Sequence, residues 1–179
     1  MIAEIGRFLI ALALLACAAQ TILAWRGAEK GGRGPAADAG RAAAEVAVIA
    51  AGAAMLLLIA SFVRSDFSIA YVAANSHVDK PLAYKIAGAW GGHEGSMLLW
   101  CWILAGFGLA LSRIGPKDAA LRSRAVSFQG LLQTLFFAFL ALASNPFERI
   151  FPAPVQGSDL NPILQDPALV IHPPMLYVG

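Results

Sequence analysis

The sequence predicts an all-α membrane protein: a bundle of four transmembrane helices, then an irregular segment and the start of a possible fifth helix. Of its 179 residues, 59% are hydrophobic and 13% are charged, whereas a soluble domain carries about 25% charge. None of the ten prolines interrupts the predicted helices, and seven of them follow Ala143, so regular helix gives way to irregular backbone there. The four apolar spans are residues 8–25, 42–63, 95–111 and 125–143, each close to the roughly 20 residues that cross a bilayer.

These spans divide the chain into a transmembrane region, residues 1–143, and a C-terminal segment, residues 144–179. The last residues, Tyr177–Gly179, resemble the beginning of another apolar segment. We therefore expect the chain to be a fragment, with a larger domain that continues after residue 179.

Basic residues indicate the orientation of the bundle. Eight of the thirteen Lys and Arg residues lie in or beside residues 27–40 and 114–123, and loops rich in Lys and Arg remain in the cytoplasm. The N-terminus, residues 64–94 and residues 144–179 then face the opposite side. The eight residues are Arg26, Lys30, Arg33, Arg41, Arg113, Lys117, Arg122 and Arg124.

Several other classes of protein are excluded or disfavoured. The net charge of +2 is too small to indicate a nucleic-acid partner. Cys17 and Cys101 lie singly in apolar spans, which is typical of buried hydrophobic residues and not of a disulfide framework or a zinc site. No charged residue lies in the middle of a span, which argues against an ion pathway. Gln129, Gln133 and Thr134 have helical spacing and are expected to bond to a neighbouring helix.

The connection between the second and third spans is less regular. Phe67–Val72 half-alternates apolar and small residues, which favours an extended segment or one lying along the interface. Asn75–Pro81 has the composition of a turn. Residues 145–149 and 159–162, in the segment before His172, also predict turns.

The block Trp90–Trp100 (WGGHEGSMLLW) places a histidine beside two glycines at the start of the third span. The glycines allow backbone conformations that are closed to other residues and let a ligand come close. His93 is therefore a candidate metal or heme ligand, and Trp90 a candidate wall for a flat apolar ligand. Alternatively, the glycines only break the chain and the tryptophans are interfacial anchors. A His-Glu-x-x-His metalloprotease motif is excluded, because its second histidine is replaced by Met97.

The block Ile171–Tyr177 (IHPPMLY) contains the stronger candidate, His172. Pro173 favours an extended conformation at His172, and Pro173-Pro174 predicts a stiff polyproline step that would fix the imidazole before a ligand arrives. Imidazole is the commonest protein ligand of heme iron. The alternative is a helix-start motif, in which the prolines open a fifth helix and His172 is a polar cap.

Three long segments, Asp66–Ser76, Tyr84–Trp100 and Asn145–Tyr177, resemble the N-terminal part of the CcmF-type cytochrome c maturation proteins, the heme lyase component of the bacterial System I pathway. The resemblance implies a polytopic protein of the bacterial inner membrane that takes heme from a heme chaperone and positions it at the periplasmic face for attachment to apocytochrome c. It also implies that His172 is one of the periplasmic axial ligands of that heme. His93 and Trp90 remain weaker candidates, on the local sequence alone.

Members of this family are several times longer than this chain, and the resemblance implies that further heme-binding residues lie beyond residue 179. We therefore expect an incomplete, non-covalent (b-type) heme site and no lyase activity from this fragment alone. The implied partners are a heme chaperone, other cytochrome c maturation membrane proteins, apocytochrome c and the lipid bilayer. An alternative function is that of a small membrane scaffold or transport subunit that binds no heme.

Overall fold

The computed structural model describes residues 1–158 and 167–179. These residues form seven helices, and the part of the chain described contains a single isolated β-bridge, Ile69 with Arg149, and no strand. The helices are α1 (Ile2–Glu29), α2 (Pro35–Val63), α3 (Ala70–Asn75), α4 (Leu82–Gly91), α5 (His93–Ile114), α6 (Ala119–Ala143) and α7 (Pro167–Val178).

Four of these helices, α1, α2, α5 and α6, are long and apolar enough to span a membrane. The predicted all-α membrane fold is confirmed. Each helix is longer than its predicted span because polar residues continue it past the apolar run. The 28 residues of α1 extend over roughly 42 Å at about 1.5 Å per residue, which exceeds the roughly 30 Å of the hydrocarbon core.

Short turns rich in glycine or proline separate these helices. Gly31, Gly32 and Gly34 have positive φ values of 83°, 74° and 90°, a conformation that glycine adopts without steric cost. Pro35 then begins α2, at the helix position where its missing N–H is harmless. The chain between α1 and α2 is therefore a tight turn of residues 30–34.

The connection between α2 and α5 contains two short helices. The prediction of an extended segment holds for Ile69, which forms the β-bridge, but it is wrong from Ala70, where α3 begins. Local alternation of small and apolar residues does not distinguish a buried one-turn helix from a strand. The predicted turn is confirmed, because residues 76–81 are non-helical.

The chain divides into two compact units. The first comprises Met1–Phe8, Ala53–Trp100 and Leu140–Gly179, and the second comprises Leu9–Gly52 and Cys101–Phe139.

In the second unit, polar side chains join α1 to α6. The buried Gln20 amide donates to the Val126 carbonyl at 3.0 Å and to Gln129 Oε1 at 2.9 Å. Cys17 Sγ donates to Gln133 Oε1 at 3.1 Å. Such bonds hold membrane helices together because the surrounding hydrocarbon offers no alternative partner.

The prediction that Gln129, Gln133 and Thr134 bond to a neighbouring helix is correct for the two glutamines. Gln129 also donates to the Leu104 carbonyl of α5 at 2.8 Å. For Thr134 the prediction is wrong, because its hydroxyl donates to the Gly130 carbonyl of its own helix at 2.8 Å. A threonine can always satisfy its hydroxyl in this way, whereas a glutamine side chain reaches further.

In the first unit, the irregular segment after α6 is tied to the start of α1. Asn145 Oδ1 accepts from the Phe147 N–H at 3.0 Å, which forms the predicted turn. Arg7 donates to the Phe147 carbonyl at 3.0 Å, and the ring of Phe147 is fully buried. Arg149 binds both carboxylate oxygens of Glu4, at 2.5 and 2.9 Å, and this pairing raises the pKa of Arg149. The predicted turn at Asp159–Pro162 lies outside the described residues.

Candidate functional site

The helix α7 carries His172 and begins at Pro167, before the predicted His-Pro-Pro step. The prediction of an extended backbone at His172 is wrong, and so is the alternative in which the prolines open a helix. Pro173 and Pro174 lie inside α7, although an interior proline costs about 3 kcal/mol of helix stability. Tertiary contacts of α7 therefore outweigh the local preference of the two prolines.

One face of α7 is docked against the first unit. Val170, Pro173, Pro174 and Tyr177 are half-buried, and their spacing of i, i+3, i+4 and i+7 is that of one helix face. We call these four residues the docked face.

Two attachments hold the docked face. The Trp90 indole N–H of α4 donates to the Val170 carbonyl at 2.9 Å. At the other end, the Tyr177 hydroxyl hydrogen-bonds with Ser96 Oγ, and the Tyr177 ring lies 6.5 Å from that of Trp100, centroid to centroid. Both partners lie in the first turns of α5, so α7 contacts α4 and the start of α5.

The opposite face of α7 is exposed and mostly apolar. His172 is exposed, and Met175 and Leu176, its neighbours at i+3 and i+4, are 63% and 62% exposed. Ile171 beside them is 59% exposed. We call these four residues the free face. An apolar surface with a single imidazole is suited to a flat, apolar molecule with a metal centre.

The free face continues into an apolar depression between α4 and α7, lined by Ala83, Tyr84, Val170 and Ile171. Its volume of about 220 Å³ is below the roughly 300–1,000 Å³ of pockets that enclose a small ligand. The depression is therefore too small to enclose a heme-sized ligand. Among residues 1–158 and 167–179, no three His, Cys, Asp or Glu side chains are grouped to hold a metal ion.

The other two predicted site residues have different surroundings. Trp90 contacts the backbone of α7, two residues from His172. His93 is exposed at the start of α5, and its Nδ1 lies 2.9 Å from Ser144 Oγ, just after α6. The structure therefore brings Trp90 to the helix of His172 and ties His93 to the end of α6.

Tyr71 of α3 organises the turn between α4 and α5, a role that sequence reasoning missed. The buried phenol accepts from the Gly92 N–H at 2.9 Å and donates to the Gly88 carbonyl at 3.2 Å. It therefore satisfies backbone groups at the end of one helix and at the junction with the next. Burial raises the pKa of Tyr71, so the phenol keeps the proton that it donates. The only signal in the sequence was an aromatic residue in an otherwise small-residue segment.

The prediction that the glycines at this turn supply unusual backbone conformations is wrong. Gly92 has φ −119° and ψ 175°, which any residue adopts. The space around it is the constraint, because a Cβ atom on Gly92 would lie 2.8 Å from Cε2 of Tyr71. On Gly95 it would lie 1.8 Å from the Ala89 carbonyl oxygen.

Known proteins are similar to this chain over the region that contains Trp90, His93 and His172. Residues 90–179 match the family model described as "Cytochrome C assembly protein". The chain is 47% identical over its full length to the cytochrome c-type biogenesis protein ccl1 of Rhodobacter capsulatus and 36% identical to the cytochrome c-type biogenesis protein CcmF of Escherichia coli. It spans 27% and 28% of those proteins, respectively.

A solved structure named "Cytochrome c Heme Lyase CcmF" matches 99% of the chain with a TM-score of 0.84 and 29% identity, and the match covers 28% of that structure's chain. The likeness includes the four membrane helices and the segment that carries His172. On the family match over residues 90–179, this chain belongs to the cytochrome c assembly protein family.

Proposed function

We propose that the chain forms part of a heme-handling protein of c-type cytochrome biogenesis, in which the free face of α7 receives heme and His172 is an axial ligand of its iron. The role in cytochrome c biogenesis follows from the family. The observation that carries the finer proposal is the exposed imidazole of His172 between the exposed apolar side chains Ile171, Met175 and Leu176.

The division of α7 into two faces supports a binding role for His172. An apolar side chain left in water forgoes about 25 cal/mol per Å² of burial, and three large apolar residues share this face. A porphyrin placed over Met175 and Leu176 would cover them while the imidazole reached its iron. His172 supplies one iron ligand, and the depression beside it is too small to enclose the porphyrin, so the remaining contacts belong to other surfaces.

The distribution of charge supports a location on the periplasmic side of a bacterial inner membrane. The basic residues cluster at the turns of residues 30–34 and 115–118 and the adjacent helix ends, as cytoplasmic loops do. The chain crosses the membrane once between either turn and the segments that carry Trp90 and His172. Those segments are therefore assigned to the periplasm, where heme is attached to apocytochrome c.

Heme is the substrate in this proposal. A relative is named a heme lyase, and the chain spans about a quarter of the length of the relatives it matches. The proposed partners are a heme chaperone that delivers the substrate, other membrane proteins of cytochrome c maturation, and the apocytochrome that accepts the heme.

The experiment replaces His172 with Ala at the chromosomal locus and measures covalent heme in c-type cytochromes by peroxidase staining of denaturing gels. Loss of an axial ligand should lower the heme signal at least tenfold while the protein remains in the membrane fraction at normal abundance. Added imidazole should restore part of the signal, because it can fill the vacated axial position.

His77→Ala is the matched control. His77 lies in the turn between α3 and α4, on the same side by topology, and its Nδ1 accepts from the Asp79 N–H. His93→Ala tests the weaker candidate and should lower the signal less, since His93 contacts Ser144. Normal cytochrome maturation in His172→Ala together with a loss in His93→Ala would assign the ligand to the other histidine.

A further inference from the structure

The Val170 carbonyl lacks the donor that a regular α-helix would supply. In an α-helix, the N–H four residues later bonds to each carbonyl, and at that position α7 has Pro174, which has no N–H. A half-buried carbonyl without a partner is costly. The Trp90 indole N–H, 2.9 Å away, is the donor that replaces the missing one.

The replacement donor is itself held in place. Trp90 lies between Gly88 and Gly92, and the backbones of both bond to the Tyr71 hydroxyl. Tyr71 in turn packs edge-to-face on Phe62 of α2, with ring centroids 5.4 Å apart. The backbone on both sides of Trp90 is thus held by contacts that do not involve α7.

The bond from Trp90 also determines which way His172 faces. Successive helix residues are about 100° apart, so His172 lies about 200° from Val170, on the opposite side of α7. Tyr177, seven residues from Val170, returns to the docked face and is bound by Ser96 and Trp100. Two attachments, roughly 10 Å apart along the helix axis, prevent α7 from turning about its axis.

We propose that Trp90 is a positioning residue for His172, because its indole N–H bonds to the carbonyl that Pro174 leaves without a donor and so holds α7 with its imidazole outward. Trp90 and Pro174 act together in docking α7. The proline makes α7 dependent on an outside donor, and the tryptophan makes α4 the place where α7 docks. This proposal rests on the proposed function only for the identity of the ligand that His172 binds, which is heme.

The test combines two substitutions. Trp90→Phe keeps an aromatic ring and removes the donor, so amide hydrogen exchange between residues 170 and 178 of the purified chain should become roughly fivefold faster, the effect of one net hydrogen bond. Pro174→Ala returns an N–H to the helix. In the double variant Trp90→Phe/Pro174→Ala, exchange should therefore return to the parent rate or slower.

The second readout is covalent heme in c-type cytochromes, with the same substitutions made at the chromosomal locus. Trp90→Phe should lower it several-fold, and the double variant should recover it. Trp25→Phe is the matched control, because it also removes an indole N–H, here one that donates to Glu29 at an exposed site. It should leave both readouts unchanged.

The other possible results would contradict the proposal in different ways. Unchanged exchange in Trp90→Phe overturns the proposal, and so does faster exchange that Pro174→Ala does not reverse, since the ring would then act by packing alone. Faster and reversible exchange with normal cytochrome maturation would mean that Trp90 docks α7 without positioning His172. If His172→Ala matures cytochromes normally, the proposed heme ligation by His172 is wrong. The exchange results for Trp90→Phe and the double variant still decide whether Trp90 holds α7.

Discussion

Gly92 and Gly95 lie where α4, α5 and the Tyr71 phenol approach within van der Waals distance. The sequence indicates that the block Trp90–Trp100 has a structural role, because glycines beside a histidine and tryptophans are unusual at the start of a membrane span. It could not supply the reason, since close approach depends on Tyr71, about 20 residues earlier in the chain. The role of Val170 could not be predicted either, because its backbone carbonyl accepts the bond from Trp90 and a side-chain pattern gives no information about that.

The first prediction concerns Gly95. Gly95→Ala places a methyl group 1.8 Å from the Ala89 carbonyl oxygen and 2.7 Å from the Tyr71 hydroxyl, so the start of α5 must shift. We expect a loss of about 1–3 kcal/mol in the free energy of unfolding, measured by denaturant titration in detergent micelles.

The control for this prediction is Gly106→Ala in the same helix, where an added Cβ meets no atom within 4 Å. Alanine is the better helix former, so this variant should be unchanged or more stable by about 0.5–1 kcal/mol. Equal effects of the two substitutions would show that helix propensity, and not close approach, determines the result.

The long helices were predictable as elements because a span of about 20 apolar residues has few alternatives in a bilayer. Their ends extend beyond the prediction, because residues such as Arg26 and Arg113 continue the helix outside the apolar run. The helix α7 was not predictable, because local preference at Pro173 and Pro174 opposes it. Its docking depends on Trp90 and Ser96, which are some 80 residues away in the sequence.

The second prediction concerns the attachment of α1 to α6. Gln20→Leu removes the bonds from the buried amide to the Val126 carbonyl and to Gln129. Interhelical bonds of this kind contribute about 0.6–1.7 kcal/mol each in membrane proteins, so we expect a loss of about 1–2 kcal/mol in an unfolding titration. Thr134→Val, which removes only a bond within α6, should change the unfolding free energy by less than about 0.5 kcal/mol. A larger effect of Thr134→Val would contradict this account of the helix pair.

At the scale of the whole molecule, the proposed membrane topology follows from connectivity and charge together. Four membrane helices separated by two basic turns leave the segment from α3 to α4 and the segment after α6 on one side. The cross-helix pair Arg113–Glu45, with a 2.7 Å contact, is exposed near the basic turns, as expected outside the hydrocarbon. Composition alone predicts this arrangement, whereas the proposed heme-binding surface is argued from the two faces of α7.

The third prediction tests that topology. Reporter fusions ending at Gly34 and at Lys117 lie in the two basic turns, so both should be active only with a reporter that requires the cytoplasm. A fusion ending at His77, in the turn between α3 and α4, should be active only with one that requires the periplasm. A periplasmic signal at either basic turn would overturn the proposed orientation.

In the proposed function, the free face of α7 binds heme through His172. The most direct test is the Soret absorbance per mole of protein after purification from the membrane of the organism that encodes it, for the parent, His77→Ala and His172→Ala. We expect equal absorbance for the parent and His77→Ala, loss of most of it for His172→Ala, and partial recovery when imidazole is present during purification. An undiminished Soret band in His172→Ala would contradict this proposal.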